Sequence, residues 1–147
     1  MTVSKLTEST VAPAAALTKN LFPAECWSEQ DLRASMGEEN RTFFAAVSGG
    51  QVVGCGGVQI AGEQGDILTV GVDPAFRRKG LGEALLTAMI AEFKGWGGKQ
   101  LFLEVRASNL PARALYEKCG FLEISRRKGY YRDPLEDAII YMFEVNP

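Results

Sequence analysis

Glu104 is a carboxylate set inside an apolar run, LFLEVR, in a chain that contains no histidine at all. Without histidine, Ser-His and Cys-His nucleophile pairs are excluded, and a general base must be Glu, Asp, Lys, Tyr or a water held by one of them. If LFLEVR is a strand, its side chains alternate between faces. Leu101, Leu103 and Val105 then share one face, and Phe102, Glu104 and Arg106 the other. Burial of Glu104 raises its pKa toward the range of a working base. A strand-end carboxylate paired with Arg106 or Lys99 is the alternative.

A second chemical signal lies at RRKGLG, Arg77 to Gly82, directly after LTVGVDPAF. Arg77, Arg78 and Lys79 are followed by Gly80 and Gly82, and an apolar-periodic stretch begins there. The first N–H groups of a helix have no partner within it, and the dipole there favours negative charge. Glycine lets a phosphate approach the main chain. The segment therefore suits an anion, pyrophosphate above all, although a solvated cationic loop satisfies the same pattern. It is not a Walker loop, since Glu83 follows Gly82, nor a dinucleotide fingerprint, since Leu85 stands where the third glycine belongs.

The third signal is SNLPARALYEKCGF. Asn109 is a natural N-cap with Pro111 in the first turn. Leu115 faces the core, and Tyr116 lies one step around the helix, either as a core-edge aromatic or as a hydroxyl presented to a cleft. Cys55 and Cys119 read as small buried hydrophobes. RRKGYY near the C-terminus is too short to argue for RNA.

These residues need a scaffold, and the patterning supplies one. TVSKLT alternates as a strand. A helix spans about Val11 to Leu21, capped by Ser9 or Thr10 with Pro13 in its first turn. CWSEQDLRASM is a second helix, with Ser28 as N-cap and Asp31 completing the box. TFFAAV and QVVGCGGVQI form a hairpin across SGG, and DILTVGV is a further strand. GLGEALLTAMIAEFK repeats Leu81, Leu85, Met89 and Phe93 at helical spacing and ends at GWGG. The strand QLFLEVR, the helix NLPARALYEKC stopped by Gly120, and the strands FLEISRRKGYY and AIIYMFEV complete the order. This predicts a mixed α/β sheet, parallel where the long helix crosses over.

At 147 residues and a net charge of −2, the chain is expected to be a single domain, 1–147, with no field drawing it to nucleic acid. Its three cysteines, Cys26, Cys55 and Cys119, are odd in number and unpaired in spacing, which argues against a disulfide framework or a zinc site and for a reducing cytoplasm. VAPAAAL is too short for a membrane span or a signal peptide. No metal, membrane or direct nucleic-acid partner is expected.

Taken together, VDPAFRRKGLG and LEVRASNLPARALYEKCGF resemble the GCN5-related N-acetyltransferase (GNAT) family. With FPAECWSEQDL and YYRDPLEDAIIYM, the resemblance narrows to the ribosomal-protein alanine N-acetyltransferases of that family, over about Leu21 to Met142. That branch usually reads FPWSE; here AEC separates Pro23 from Trp27. The resemblance implies a sheet of about seven strands flanked by four helices, with acetyl-CoA in the splay between two parallel central strands. It implies backbone contacts from Val70, Gly71 and Val72, a pyrophosphate cradle of Arg77, Arg78, Lys79, Gly80, Leu81 and Gly82, and a cofactor contact at Asn109. Glu104 corresponds to the family's general base and Tyr116 to its general acid. Trp27, Tyr130 and Tyr131 are expected at the peptide entrance. The implied activity is transfer of an acetyl group to the N-terminal alanine of a ribosomal protein. A small-molecule amine or a protein lysine is the alternative acceptor within the same fold, and a non-catalytic acetyl-CoA sensor is the alternative outside enzymes.

Overall fold

The computed structural model describes residues 1–146. Seven strands form one sheet: β1 Thr2–Lys5, β2 Arg41–Ser48, β3 Gln51–Ala61, β4 Gln64–Val72, β5 Gln100–Arg106, β6 Leu122–Tyr131 and β7 Glu136–Glu144. Their order across the sheet is β1-β2-β3-β4-β5-β7-β6. Four α-helices accompany them: α1 Val11–Leu21, α2 Glu29–Ser35, α3 Leu81–Gly95 and α4 Leu110–Lys118. The predicted mixed α/β architecture is the one observed.

Among the described residues only β4 and β5 run parallel, and α3 makes the crossover between them. Leu81, Leu85, Leu86, Met89, Ile90 and Phe93 of α3 are buried, with Leu101, Leu103 and Val105 of β5 in the same core. Burying each large side chain of this stripe contributes roughly 1.5–3 kcal/mol. The opposite face carries α1 and α2 over a second core containing Val11, Leu17, Leu32, Phe43 and Cys55. Burial pushes the Cys55 thiol up to about 12; Cys119, expected to be buried as well, is only half-buried.

The helix ends obey their capping residues. Ser28 and Asp31 close the expected capping box of α2. Thr10 is the N-cap residue of α1, but its hydroxyl serves Thr7 rather than the helix. Asn109 Oδ1 accepts from the Ala112 N–H at the start of α4, and Gly120, at φ 99°, ends it.

The regular pairing of β3 with β4 is broken at one point. β3 pairs Gly57 with Thr69 and Val58 with Ile67, so Leu68 is an extra residue in β4. Such a bulge bends its strand and sharpens its twist. It lies just beyond Asp66, where pairing of β4 with β5 stops.

Candidate active site

β4 and β5 share three rungs, Gln64–Gln100, Gly65–Leu101 and Asp66–Phe102, and no more. β4 continues to Val72 on β3 alone, and β5 continues to Arg106 on β7 alone. A wedge-shaped gap therefore opens in the middle of the sheet. The Asp73 N–H donates to the Val53 carbonyl on β3. Backbone groups alternate sides along a strand, so Gly71 also faces β3, whereas Val70 and Val72 present their peptide groups to the gap. Gly71 contributes through its bareness instead. A Cβ there would lie 2.8 Å from Leu21 and Phe22 side chains, so its absence lets the end of α1 rest on β4.

The basic segment sits at the head of this gap. A single 3-10 turn, Pro74–Phe76, is capped by Asp73, whose carboxylate accepts from the Ala75 N–H. Arg77 folds back so that its Nε donates to the Val72 carbonyl at 3.1 Å, which leaves the Val72 N–H as the free peptide group there. Arg78 takes a left-handed conformation, φ 64°, and Gly80 another, φ 79°. Gly80 is the N-cap of the fifteen-residue α3 and has open space around it. The first helical bond of this end is Ala84 N–H to Gly80 carbonyl, so the N–H groups of Leu81, Gly82 and Glu83 have no acceptor within the helix. Glu83 would oppose an anion here, but its carboxylate is turned aside to Lys118, 3.0 Å away on α4. Lys79 lies over the Phe76 ring. Gly82 serves contact: a Cβ there would come within 2.9 Å of Leu115 on α4.

On the other face of the sheet, a cleft of about 510 Å3 is lined by Glu25, Asp66, Phe102, Glu104, Arg127, Tyr130 and Tyr131, among others. Glu104 is a member of this wall and its side chain is 35% exposed, so the expected burial in an apolar strand is not found. The alternation itself is as expected: Leu101, Leu103 and Val105 are buried, and Glu104 lies on the opposite face. Neither Arg106 nor Lys99 pairs with it. Arg127 does, with Nη1 4.0 Å from Oε1, while the same guanidinium lies over the Tyr130 ring. Acting as acceptor and as a negative charge, the Glu104 carboxylate raises the Tyr130 pKa. Loss of solvent, and then the charge of Glu104, raises the Asp66 pKa.

Tyr116 approaches from the side of α3 and α4. Its ring, 7% exposed, meets Phe121 and Tyr141 edge-on at 6.2 and 6.1 Å. Burial pushes its phenol up to about 12. Among the described residues its hydroxyl has no hydrogen-bond partner, yet no fully buried side-chain oxygen is left unpartnered; the hydroxyl is therefore within reach of solvent. Arg113 anchors the helix that carries it, donating to Tyr141 Oη, the Ala107 carbonyl and Glu123. Glu104 and Tyr116 thus belong to opposite faces of the sheet.

Trp27 departs from expectation. It stacks edge-on with Phe43 at 4.9 Å, and its backbone N–H and carbonyl both bond Thr18 Oγ1. It pins the α1–α2 connection to the second core and is absent from the cleft wall, where Glu25 of the same connection stands instead. Tyr130 and Tyr131 do line the cleft. The sequence pattern does not single out Asp66, Glu25 or Arg127; the β4–β5 register brings Asp66, the β5–β7 and β6–β7 registers Arg127, and the α1–α2 connection Glu25 to the cleft that Glu104 lines.

Residues 12–121 match the model of the acetyltransferase (GNAT) family. The chain belongs to that family. It is an N-acetyltransferase by that membership, and its mixed sheet of seven strands with four helices is the fold that the resemblance implied. It is 37% identical to the [ribosomal protein bS18]-alanine N-acetyltransferase of Escherichia coli K12, over 99% of this chain and 98% of that one. It is 31% identical to the N-alpha-acetyltransferase RimI of Mycobacterium tuberculosis, over 94% and 89% of the two chains. The crystal structure of the Escherichia coli ribosomal-protein-S18-alanine N-acetyltransferase superposes with a TM-score of 0.83 at 35% identity, covering 99% of this chain and 94% of that one. Among the described residues, no helix is long and apolar enough to cross a membrane and no cluster of His, Cys, Asp or Glu is arranged to hold a metal ion.

Proposed function

We propose that this N-acetyltransferase uses acetyl-CoA to acetylate the N-terminal α-amino group of a ribosomal protein that begins with alanine. The observation that carries this reading is the gap between β4 and β5. It joins a glycine-lined, cation-rimmed helix N-terminus to an acidic cleft on the far face, and the whole-length similarity to a bS18-alanine N-acetyltransferase supplies the acceptor. Such a chain works in the cytoplasm and is one domain.

The residues suit acetyl-CoA. Free N–H groups of Leu81 and Gly82, the left-handed Gly80 and the cations Arg77, Arg78 and Lys79 fit a pyrophosphate. Val70 and Val72 offer peptide groups to the pantetheine amides along the gap, and the Asn109 side-chain amide keeps its N–H groups free while its oxygen caps α4. Bound there, acetyl-CoA supplies an acetyl thioester. The remaining chemistry is proton handling. An α-ammonium with a pKa of about 8 is roughly a tenth neutral at pH 7, far more than a lysine near 10.4. Glu104, beside Arg127 on the cleft wall, takes the proton directly or through water. The Val72 N–H stabilises negative charge on the reacting carbonyl. Tyr116, which burial keeps protonated at neutral pH, is the proton donor to the leaving sulfur. Asp66, Glu104 and Glu25 make the cleft attractive to a cationic N-terminus.

The test is acetylation of an Ala-initiated ribosomal-protein peptide against spermidine, an aminoglycoside and a lysine peptide whose N-terminus is blocked. The reading requires preference for the free alanine N-terminus. Tyr131→Ala should raise the peptide KM while leaving acetyl-CoA affinity nearly unchanged. A clear preference for any of the other amines overturns it.

A further inference from the structure

We propose that Arg106 is a positioning residue for the acceptor peptide, holding the β6–β7 turn in the shape that sets Tyr131 at the mouth of the cleft. This rests on the peptide reading above and assigns its specificity to a side chain that need not touch the peptide.

Arg106 is the last residue of β5 and shares a face with Glu104. Its guanidinium spans the turn. It lies over the Tyr131 ring, 4.5 Å from the centroid. Nη1 donates to the Pro134 carbonyl and Nη2 to the Arg132 carbonyl, each at 3.1 Å. Arg132, Asp133, Pro134 and Leu135 are all exposed, so the turn has little packing of its own. The next residues of the same segment tie down its descending limb. The Ala107 N–H donates to the Asp137 carbonyl, and the Ser108 N–H and hydroxyl both donate to Glu136, which lowers the Glu136 pKa.

The chemistry demands arginine. A planar fork can stack on an aromatic face and donate to two carbonyls at once; an ammonium can do one or the other. The consequence is geometric. β5 carries Glu104, which receives the proton of the reacting amine, and two residues later it carries the clamp on the aromatic wall that steers the rest of the peptide. Glu104 and Tyr131 are held in one frame by Arg106, so an error in the turn is felt as misplaced peptide rather than as lost proton transfer.

The experiment compares the wild type with Arg106→Lys and Arg106→Gln, measuring steady-state kinetics with an Ala-initiated ribosomal-protein peptide and hydrogen exchange of the backbone amides in the unliganded protein. Loss of one charge-assisted hydrogen bond sets the expected rise in peptide KM at about tenfold. The kcat and the acetyl-CoA KM should stay within about twofold, the signature of lost ground-state positioning. Exchange should quicken for residues 130–136 and remain unchanged elsewhere. Unchanged exchange in the turn overturns the clamp. Quickened exchange with unchanged peptide KM overturns its role in specificity. Equal changes in kcat and both KM values also overturn it, because they mark a general loosening of the β5–α4 segment. A wild-type enzyme that leaves the peptide unacetylated refutes the peptide reading, and with it this one, while exchange still reports whether the clamp exists.

Discussion

Asp66 stands opposite Phe102 in the last rung that joins β4 to β5, and it shares a cleft wall with Glu104 two residues further along β5. The end of strand pairing thus coincides with a pair of carboxylates. The negative charge of Glu104 reaches Asp66 and adds to the effect of lost solvent on it. The extra residue Leu68 lies two residues past this rung, where a bulge bends β4. Gap, bulge and acidic pair are one local structure, and the site costs the fold some stability to keep it.

That cost is measurable against pH. The Asp66 pKa is raised in the folded chain, so folding disfavours its ionised form. At neutral pH both folded and unfolded chains carry the charge, and the folded state bears the penalty. As pH falls through the folded pKa toward the ordinary aspartate value of about 3.9, the penalty disappears. Asp66→Asn should therefore melt at a higher temperature than the wild type at pH 7.5, with the difference closing toward pH 3.5. Scanning calorimetry across this range checks it; a difference that does not vary with pH would show that the substitution acts through packing alone.

Glu104→Gln should lower kcat/KM by on the order of 10²-fold at pH 7, the scale of general-base assistance. The loss should shrink as pH rises through the α-amine pKa of about 8, where the acceptor loses its proton unaided. The same variant keeps an acceptor oxygen but removes the negative charge that helps raise the Tyr130 pKa, so that phenol should titrate at lower pH in an ultraviolet titration. A rate loss that is equal at every pH, together with an altered Tyr130, would make Glu104 a residue that positions the peptide.

Gly82 and Leu115 should couple. A Cβ at residue 82 meets the end of the Leu115 side chain on α4, while at Gly80 it meets nothing. Gly82→Val should lower the melting temperature, and Leu115→Ala should recover part of that loss in the double variant, a departure from additivity expected of residues in contact. Gly80→Ala strains a left-handed N-cap, at about 1–2 kcal/mol, and no change at Leu115 should relieve it. Calorimetric melting of the four variants checks the coupling; strict additivity at residues 82 and 115 would mean that α3 and α4 separate freely here.

Most of the scaffold is legible in the sequence because its signals are local. Ser28 and Asp31, the Leu81–Phe93 stripe and the Asn109–Pro111 start each specify a helix from within a few residues. Glu104 and Tyr116 stand out as chemistry-bearing side chains in apolar company. What the sequence hides is long-range. The setting of Glu104 depends on whether a helix covers the far face of β5, and Arg127 and Asp66 reach it only through strand registers that leave no mark in the sequence. The segment around Trp27 points it to the cleft, but a tryptophan buries too much surface to stay in an open wall when Phe43 and Thr18 offer it a seat. Arg106 shares a face with Glu104, which makes the two natural partners on spacing alone; the exposed carbonyls of the β6–β7 turn offer its fork a better match.

Tyr116→Phe separates chemistry from packing more cleanly than any other single change in this site. The ring is buried and its edge contacts with Phe121 and Tyr141 need no hydroxyl. That hydroxyl bonds no other described residue, so its removal leaves no orphaned donor or acceptor behind. Tyr141→Phe is the contrast: its hydroxyl accepts from Arg113 and donates to Glu117 at 2.7 Å, and losing it should cost about 1–2 kcal/mol. Tyr116→Phe should therefore melt within about a degree of the wild type, and Tyr141→Phe several degrees lower, at roughly 2–4 °C per kcal/mol for a chain of this size. Activity should order them the other way. If Tyr116 delivers the proton to the leaving sulfur, its loss lowers kcat by on the order of 10²-fold with little change in either KM. With the phenol pushed up to about 12, no alkaline limb from Tyr116 should appear in the wild-type kcat profile below pH 10. A Tyr116→Phe enzyme with full kcat would leave the sulfur to depart as the thiolate or to take its proton from water, and the tyrosine would then be part of the core and nothing more.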